Sequence, residues 1–290
     1  MEPRTIEELL ALYELEPALK DVFVEGPTDR AFVESVLRYA GLVNVQVNEI
    51  ELVDIPDPVL ARIATCSGKR QRVIALAIEL ERASASDLTR RVCCDADADE
   101  EAGRTPAVVG ALLLYTDFTS VQLYAYSPDV LQRYLDLVVL GFPLRAEATL
   151  RLMEPVLREM ALSRRVNDTL RLATAPVDAT DDCEISDAAI VCDTARFTLR
   201  FLSKAAATHR RDEYLAEKRR LEALLPGDPR FWVHGEDFVH LLYWIIVRRR
   251  GAGSGRTVSR DLLGKALLLA VPFDVVVTKP LFVELRRRLS

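Results

Sequence analysis

Apolar residues recur along the first half of this chain with two spacings, one typical of strands and the other typical of helices. Short apolar runs rich in β-branched residues, such as residues 22–26 (VFVEG), predict buried strands. Runs with an apolar residue every three or four positions, such as residues 67–83, predict amphipathic helices. In chain order we predict a helix at 5–20 with Thr5 as its N-cap, a strand at 22–26, a helix from the N-cap Thr28 to Gly41, a strand at 45–55, a helix at 67–83, strands at 88–94 and 107–115, and a helix at 128–140.

The order of these elements predicts an α/β fold, with a mostly parallel sheet flanked by helices. From about Gly141 the pattern changes, and helical spacing dominates apart from a polar, acidic loop or short hairpin at 174–187. Further helices are predicted at 144–173, 195–224, 236–250, 258–270 and 279–289. The chain is therefore predicted to form two domains, an α/β domain at 1–140 and a mainly helical domain at 141–290.

The composition is that of a globular protein, with 50% hydrophobic and 28% charged residues. No apolar run approaches the roughly 18 residues of a membrane-spanning helix, and the acidic N-terminus lacks the apolar core of a signal peptide. These features predict a cytoplasmic protein that does not associate with membranes. The five cysteines are an odd number in a chain without secretory features, which favours reduced thiols over a disulfide framework.

The net charge of −6 is distributed unevenly along the chain. Residues 92–101 contain five acidic residues and no Lys or Arg, whereas residues 245–265 contain six basic residues and one acid. This separation is typical of a protein in which an acidic cation site acts on a polyanion held by basic segments; solvated helix faces are the alternative.

Four basic residues are candidates for binding nucleic acid. Lys69 lies in a Ser-Gly-Lys segment, which is not a P-loop because the upstream glycine is missing. Arg248, Arg249 and Arg250 could hold phosphates, although the dipole at a helix C-terminus favours such arginines equally well.

Acidic side chains stand at the ends of two predicted strands. Glu25 ends the first strand and Asp29 enters the helix that follows, while Asp95, Asp97 and Asp99 follow the third strand. Because the carboxyl ends of parallel strands meet at one edge of a sheet, these side chains are expected to lie close together. Carboxylate oxygens suit Mg²⁺ or Mn²⁺, and a bound cation would relieve the repulsion among the acids.

Taken separately, each acidic stretch has a simpler interpretation. The segment DADADEE is also what a solvent-exposed acidic loop looks like, and EGPTD is also a turn with a helix cap. The prediction of a metal site rests on the two stretches together.

The joint pattern resembles a known family. A strand ending in EGxxD (Glu25, Gly26, Asp29), a helix, a strand, a helix and a strand ending in DxD (Asp95, Asp97) resemble the Toprim domain of topoisomerases, DnaG-type primases and OLD-family nucleases. The resemblance covers roughly residues 21–135.

More narrowly, the chain is similar to small Toprim proteins encoded beside ABC-type ATPases in bacterial anti-phage loci. The shared segments are the Thr-Asp pair at 116–117, the Ser-Gly-Lys segment and the HGEDFVHLL stretch at 234–242. That family often has a Lys where this chain has Glu236. The family also has an acidic residue soon after the fourth strand, and the nearest candidates for it in this chain are Asp117 and Asp129.

The resemblance implies a metal-dependent nuclease that acts as an effector of anti-phage defence and is regulated by an ATPase partner. Glu25 would be the general base or acid, and Glu25, Asp95 and Asp97 would be the inner ligands of Mg²⁺ or Mn²⁺. Asp29 and Asp99 would be outer ligands. The alternatives are a Toprim-like binding or regulatory subunit with a degraded site, and another Mg²⁺-dependent phosphotransfer enzyme with a DxD motif. The sequence leaves self-association open.

Overall fold

The computed structural model describes residues 3–63, 68–83, 88–97, 108–186, 189–225, 227–250 and 259–290. The chain forms two compact units, which are described separately: the first comprises residues 1–121 and 271–290, and the second comprises residues 122–270. This division differs from the predicted one at residue 140. The C-terminal segment belongs to the first unit because it buries Phe282 and Leu285 there.

The strands and helices follow the alternation that the sequence predicts. In chain order the strands are β1 (Arg4–Thr5), β2 (Lys20–Val24), β3 (Val45–Glu49), β4 (Val53–Asp54), β5 (Val92–Ala96), β6 (Leu113–Tyr115), β7 (Cys183–Ile185) and β8 (Ile190–Cys192). The helices are α1 (Ile6–Leu15), α2 (Pro27–Tyr39), α3 (Asp57–Leu60), α4 (Gly68–Ala83), α5 (Pro128–Tyr134), α6 (Ala146–Thr169), α7 (Thr194–Lys204), α8 (Arg211–Glu222), α9 (Gly235–Arg250), α10 (Arg260–Leu269), α11 (Phe273–Val276) and α12 (Pro280–Leu289).

The first unit is built on a four-stranded parallel sheet. Its strand order is β3-β2-β5-β6, so that β2 and β5 are the central strands, and β1 pairs separately with β4. Helices α1 and α4 cover the face that carries Phe23 and Cys94. Across the sheet, Phe32 of α2 makes edge contacts with Phe273 and Phe282 of the C-terminal segment. The prediction of an α/β fold with a mostly parallel sheet flanked by helices is confirmed.

Local chemistry explains where the first two helices begin and end. Thr5 is the N-cap of α1, as predicted, and it forms a capping box with Glu8. The helix ends at Leu15 rather than residue 20, since Pro17 forces the preceding residue out of the helical conformation. The predicted N-cap Thr28 is wrong: Gly26 is the N-cap of α2, because the fixed φ of Pro27 suits the first helical position.

Several predicted strands are shorter than their apolar patterns. A 3₁₀ turn at Ile50–Leu52 splits the predicted strand 45–55, and the fully buried Ile50 belongs to the core cluster that includes α4. Another 3₁₀ turn at Leu88–Arg90 precedes β5, and the described part of the predicted strand 107–115 is extended only from Leu113. The apolar pattern shows which residues are buried, and it continues unchanged through a buried 3₁₀ turn. For this reason it does not show where a strand is interrupted.

The second unit consists of helices α5 to α10 and an antiparallel hairpin of β7 and β8. Helix α5 continues into a π-helical turn at Leu135–Val139, which terminates at Leu140 with a positive φ of 56°. The predicted continuous helix 195–224 is two helices, because the chain leaves α7 at Ala205 and Ala206 adopts a φ of 51°. Across the described ranges, no helix is both long enough and apolar enough to pass through a lipid bilayer.

Candidate functional site

Strand β2 and helix α2 position Glu25 and Asp29. Glu25 follows the last residue of β2, and Asp29 is the third residue of α2. The backbone amides of Gly26 and Asp29 oppose the rise in the pKa of the Asp29 carboxylate, as amides at a helix N-terminus do for an acid in the first turn. One oxygen of this carboxylate lies 3.4 Å from the position that a Cβ atom on Gly26 would occupy, close to the end of β2.

The two acidic stretches meet at one edge of the sheet. Strands β2 and β5 pair in parallel with Phe23 opposite Cys94, so their carboxyl ends coincide. A carboxylate oxygen of Glu25 accepts a hydrogen bond of 2.9 Å from the backbone amide of Asp97. Burial raises the pKa of Glu25, while the Asp97 amide, Arg70 and Lys69 act in the opposite direction.

Asp95 is the most unusual residue of the cluster. It lies within β5 and only 3% of it is exposed. Within the described part of the chain, its Oδ1 atom has no hydrogen-bond partner. Burial raises the pKa of Asp95 well above its ordinary value, and the neighbouring Asp29, Glu25 and Asp117 carboxylates raise it further. A buried carboxylate oxygen without a partner is costly, and it therefore indicates a missing ligand or a functional role.

Asp97 follows β5 directly and is partly buried. Its pKa is raised well above the ordinary value by burial and by Glu25, Asp29 and Asp95, and Arg70 acts against this shift. The structure therefore brings Glu25, Asp29, Asp95 and Asp97 together. Asp99, the remaining predicted ligand, lies outside the described residues.

Asp117 is a fifth carboxylate close to the cluster. It follows β6, and its Oδ1 accepts a hydrogen bond of 3.2 Å from the Leu281 amide at the start of α12. Its negative charge acts on Asp95. Of the two acidic candidates after the fourth strand, Asp117 belongs to the unit that contains the cluster. Asp129 is exposed in the first turn of α5 in the second unit.

Two basic residues at the start of α4 face the carboxylates. The Lys69 ammonium forms an ion pair of 3.1 Å with Glu51 and lies 3.9 Å from the position that a Cβ atom on Gly26 would occupy. Arg70 acts electrostatically on both Glu25 and Asp97. Sequence reasoning missed Arg70. Two cations at a helix N-terminus oppose the helix dipole, and that unfavourable placement was the signal for a nearby anion.

The arginines predicted to bind nucleic acid belong to the second unit. The Arg248 guanidinium lies over the Trp244 ring, 5.7 Å from its centroid. Arg249 donates a hydrogen bond to the backbone carbonyl of Ser186 in the β7–β8 hairpin. The side chain of Arg250 lies outside the described part of the structure.

The donor set fits a hard divalent cation. Its members are carboxylate oxygens, which Mg²⁺ and Mn²⁺ prefer, and the buried Oδ1 atom of Asp95 has a vacant lone pair among them. As they stand, no three His, Cys, Asp or Glu side chains in the described ranges are already arranged to hold a metal ion.

Neither a scan against protein-family models nor a search of the curated proteins finds a match to this chain. The resemblance to Toprim proteins stays a prediction based on short motifs. The chemistry of the site must be argued from its geometry.

The carboxylate cluster predicts that the metal-free protein loses stability as the pH rises. Burial and the Glu25 charge raise the pKa of Asp29 from its ordinary value of 3.8 to about 7. A raised pKa contributes stability that is fully present below about pH 4 and is lost as the pH passes 7. We expect the unfolding free energy in EDTA to fall by on the order of 2 kcal/mol between pH 5 and pH 8.

Thermal unfolding followed by far-UV circular dichroism at the two pH values tests this expectation. The variant Asp29→Asn should lose the part of the pH dependence that Asp29 contributes and therefore show a smaller fall in stability than the wild type. The control Asp57→Asn replaces an exposed first-turn acid of α3 in the same unit and should retain it. Equal pH dependence in the wild type and in Asp29→Asn would contradict the prediction.

Proposed function

We propose that this protein is a Mg²⁺- or Mn²⁺-dependent nuclease that hydrolyses phosphodiester bonds in nucleic acid. The observation that carries the proposal is the buried Oδ1 atom of Asp95, which has no hydrogen-bond partner within the described residues and is surrounded by further carboxylates. Lys69 and Arg70 supply positive charge beside them, as a site that binds a phosphate requires.

Each side chain has a distinct role in this reaction. Glu25, Asp95 and Asp97 would hold the cation, which when bound would offset the charge of the scissile phosphate and lower the pKa of water. One carboxylate oxygen of Glu25 accepts the Asp97 amide, so the other oxygen is available to take up a proton from the attacking water. Burial raises the pKa of Glu25, which makes it a stronger proton acceptor than an exposed glutamate. Lys69 and Arg70 attract and orient the phosphate.

The order of elements supports the resemblance to Toprim nucleases. Strand β2 leads into Glu25 and Asp29, and the chain then passes through α2, β3 and α4 before β5, which carries Asp95. The resemblance extends the proposal to a cytoplasmic effector of anti-phage defence that is regulated by an ABC-type ATPase partner.

A second candidate function is a Toprim-like binding or regulatory subunit without catalysis. It is favoured by the finding that, among the described side chains, no three potential ligands are already arranged around a metal position. The two candidates differ in whether the bound cation is used for cleavage.

A cleavage panel tests the nuclease proposal. Single- and double-stranded DNA and structured RNA are incubated with the protein in Mg²⁺, Mn²⁺ or EDTA, and Mn²⁺ binding is measured in parallel by calorimetry. We expect metal-dependent cleavage that Glu25→Gln reduces by roughly 100-fold or more, because it removes both a ligand and the proton acceptor. The control Glu34→Gln alters a partly exposed glutamate of α2 paired with Arg38 and should cleave normally.

The outcomes separate the two candidates. Cleavage that persists in EDTA or in Glu25→Gln would refute the nuclease proposal. Mn²⁺ binding without cleavage of any substrate, with and without cell extract to supply a partner, would favour the binding subunit.

Lys69 is expected to contribute to substrate binding rather than to the chemical step. The variant Lys69→Gln should lower kcat/KM by about 10-fold, mainly through KM, and should reduce the dependence of log KM on log salt concentration by about one ion. The control Arg151→Gln removes an exposed cation that also pairs with one carboxylate, Glu147 on α6, and should leave the salt dependence unchanged. An unchanged salt dependence in Lys69→Gln would show that this ammonium does not contact a phosphate.

A further inference from the structure

Two cysteines lie directly opposite each other in the hairpin of the second unit. Strands β7 and β8 are antiparallel, and their register pairs Cys183 with Cys192. Both side chains are partly buried, and both thiols are free. No other function described above uses them.

The backbone hydrogen bonds place this pair at a non-hydrogen-bonded position of the ladder. The Asp193 amide donates to the Asp182 carbonyl at 2.8 Å, which identifies the adjacent pair as hydrogen-bonded. Because the two kinds of pair alternate, Cys183 and Cys192 occupy the closer kind, with Cα atoms about 4.5 Å apart. A disulfide spans Cα separations of roughly 4.4–6.8 Å, so the bond requires no backbone movement.

The two sulfur atoms also converge on one acceptor. The Cys183 thiol donates to the Ala179 carbonyl at 3.1 Å, and the Cys192 sulfur lies 3.9 Å from the same oxygen. The neighbouring Cys183 thiol lowers the pKa of Cys192, and Cys192 in turn raises the pKa of Cys183, so Cys192 is the thiol that ionises first and attacks.

The other two described cysteines are not a pair on opposite strands. Cys93 and Cys94 are fully buried neighbours on the same strand, β5. Burial raises the pKa of Cys93 to about 12 and raises that of Cys94 as well, so neither thiol ionises readily.

We propose that Cys183 and Cys192 form a reversible dithiol–disulfide pair that exchanges with low-molecular-weight disulfides such as oxidised glutathione. The Cys192 thiolate attacks one sulfur of the glutathione disulfide, which forms a mixed disulfide and releases one glutathione thiolate. The Cys183 thiolate then attacks the Cys192 sulfur and releases the second glutathione. The protein loses two electrons and two thiol protons, and one glutathione disulfide becomes two glutathione thiols.

Oxidation would change the surroundings of the hairpin. It removes the hydrogen bond that the Cys183 thiol donates to the Ala179 carbonyl. Ala179 begins a 3₁₀ turn that ends at Asp182, and Asp182 forms an ion pair with Arg200 of α7. Asp178, the residue before Ala179, accepts a hydrogen bond of 2.8 Å from His240 of α9 when the His240 Nε2 atom is protonated. The pair thus lies where the hairpin joins two helices, and the cross-link should stabilise the second unit.

Redox titration of the full-length protein tests the proposal. The reduced protein is equilibrated with graded ratios of reduced and oxidised glutathione, quenched in acid, alkylated and analysed by intact mass and peptide mapping. We expect a peptide that links Cys183 to Cys192 and the loss of two of the five thiols. The unfolding midpoint of the second unit, followed by tryptophan fluorescence, should rise by roughly 5 °C on oxidation.

Matched variants assign the bond. Cys183→Ser should instead give a glutathione adduct at Cys192. Cys66→Ser removes a thiol that is distant in sequence from the hairpin; it should behave like the wild type and serves as the control. A bond from either cysteine to Cys66, or glutathione adducts without a link at every ratio, would overturn the proposal.

A trivalent arsenical gives a second test that does not depend on redox potential. Phenylarsine oxide bridges two neighbouring thiols, so one equivalent should bind the reduced native wild type and Cys66→Ser. Binding should be lost in both Cys183→Ser and Cys192→Ser. Equal binding by all four proteins would show that the two thiols are not neighbours and would refute the geometry on which the proposal rests.

Discussion

Replacing Asp95 by Asn is expected to stabilise the metal-free first unit and, in the same protein, to abolish metal-dependent cleavage. The substitution keeps the shape of the side chain but replaces a buried acid whose ionisation is opposed by burial and by repulsion from Asp29, Glu25 and Asp117. Relief of that repulsion should raise the unfolding free energy by about 1–3 kcal/mol in EDTA. Loss of the ligand should lower cleavage by roughly 100-fold or more, since even the outer partners of metal ligands act on a scale of 10–100-fold.

The measurement must report on the first unit. Both tryptophans, Trp232 and Trp244, belong to the second unit, so their fluorescence does not follow the sheet. Hydrogen exchange of peptides from β2 and β5 in EDTA and in Mg²⁺ is the appropriate readout. Mg²⁺ should slow exchange in the wild type but not in Asp95→Asn. The control Asp54→Asn alters an exposed aspartate of β4. Faster exchange of Asp95→Asn than of the wild type in EDTA would contradict the prediction.

Removing Arg164 is expected to be the most destabilising single change in the second unit. Arg164 on α6 donates two hydrogen bonds, of 2.7 and 2.6 Å, to the two carboxylate oxygens of Asp237 on α9. The Asp237 side chain is only 8% exposed. The variant Arg164→Met leaves that carboxylate buried without its bidentate partner, which should cost about 3–5 kcal/mol.

Urea unfolding followed by tryptophan fluorescence measures this loss directly, because both tryptophans lie in the same unit. The double variant Arg164→Met, Asp237→Leu should recover most of the stability, since an apolar pair of similar volume replaces a buried ion pair at little cost. The control Arg151→Met removes an exposed arginine of α6 paired with Glu147 and should cost less than about 1 kcal/mol. A double variant no more stable than Arg164→Met would show that the single substitution acts through packing.

Part of the site follows from the sequence because it depends on strand ends. Glu25 and Asp97 each follow an apolar run, and parallel strands bring their carboxyl ends to one edge. The sequence did not predict the buried environment of Asp95. DADADEE has the composition of an exposed loop, yet β5 extends to Ala96, so Asp95 lies inside a central strand. Arg70 was missed because its distance from Glu25 and Asp97 depends on how α4 packs against the sheet.

The pair of acidic stretches, the α/β alternation and the cap at Thr5 were determined by the sequence itself, since periodicity and capping act between residues close in the chain. Tertiary structure decided the burial of Asp95, the return of residues 271–290 to the first unit and the pairing of Cys183 with Cys192. Each of these depends on contacts between residues apart in sequence, whose free energy comes from burial and register rather than from local propensity.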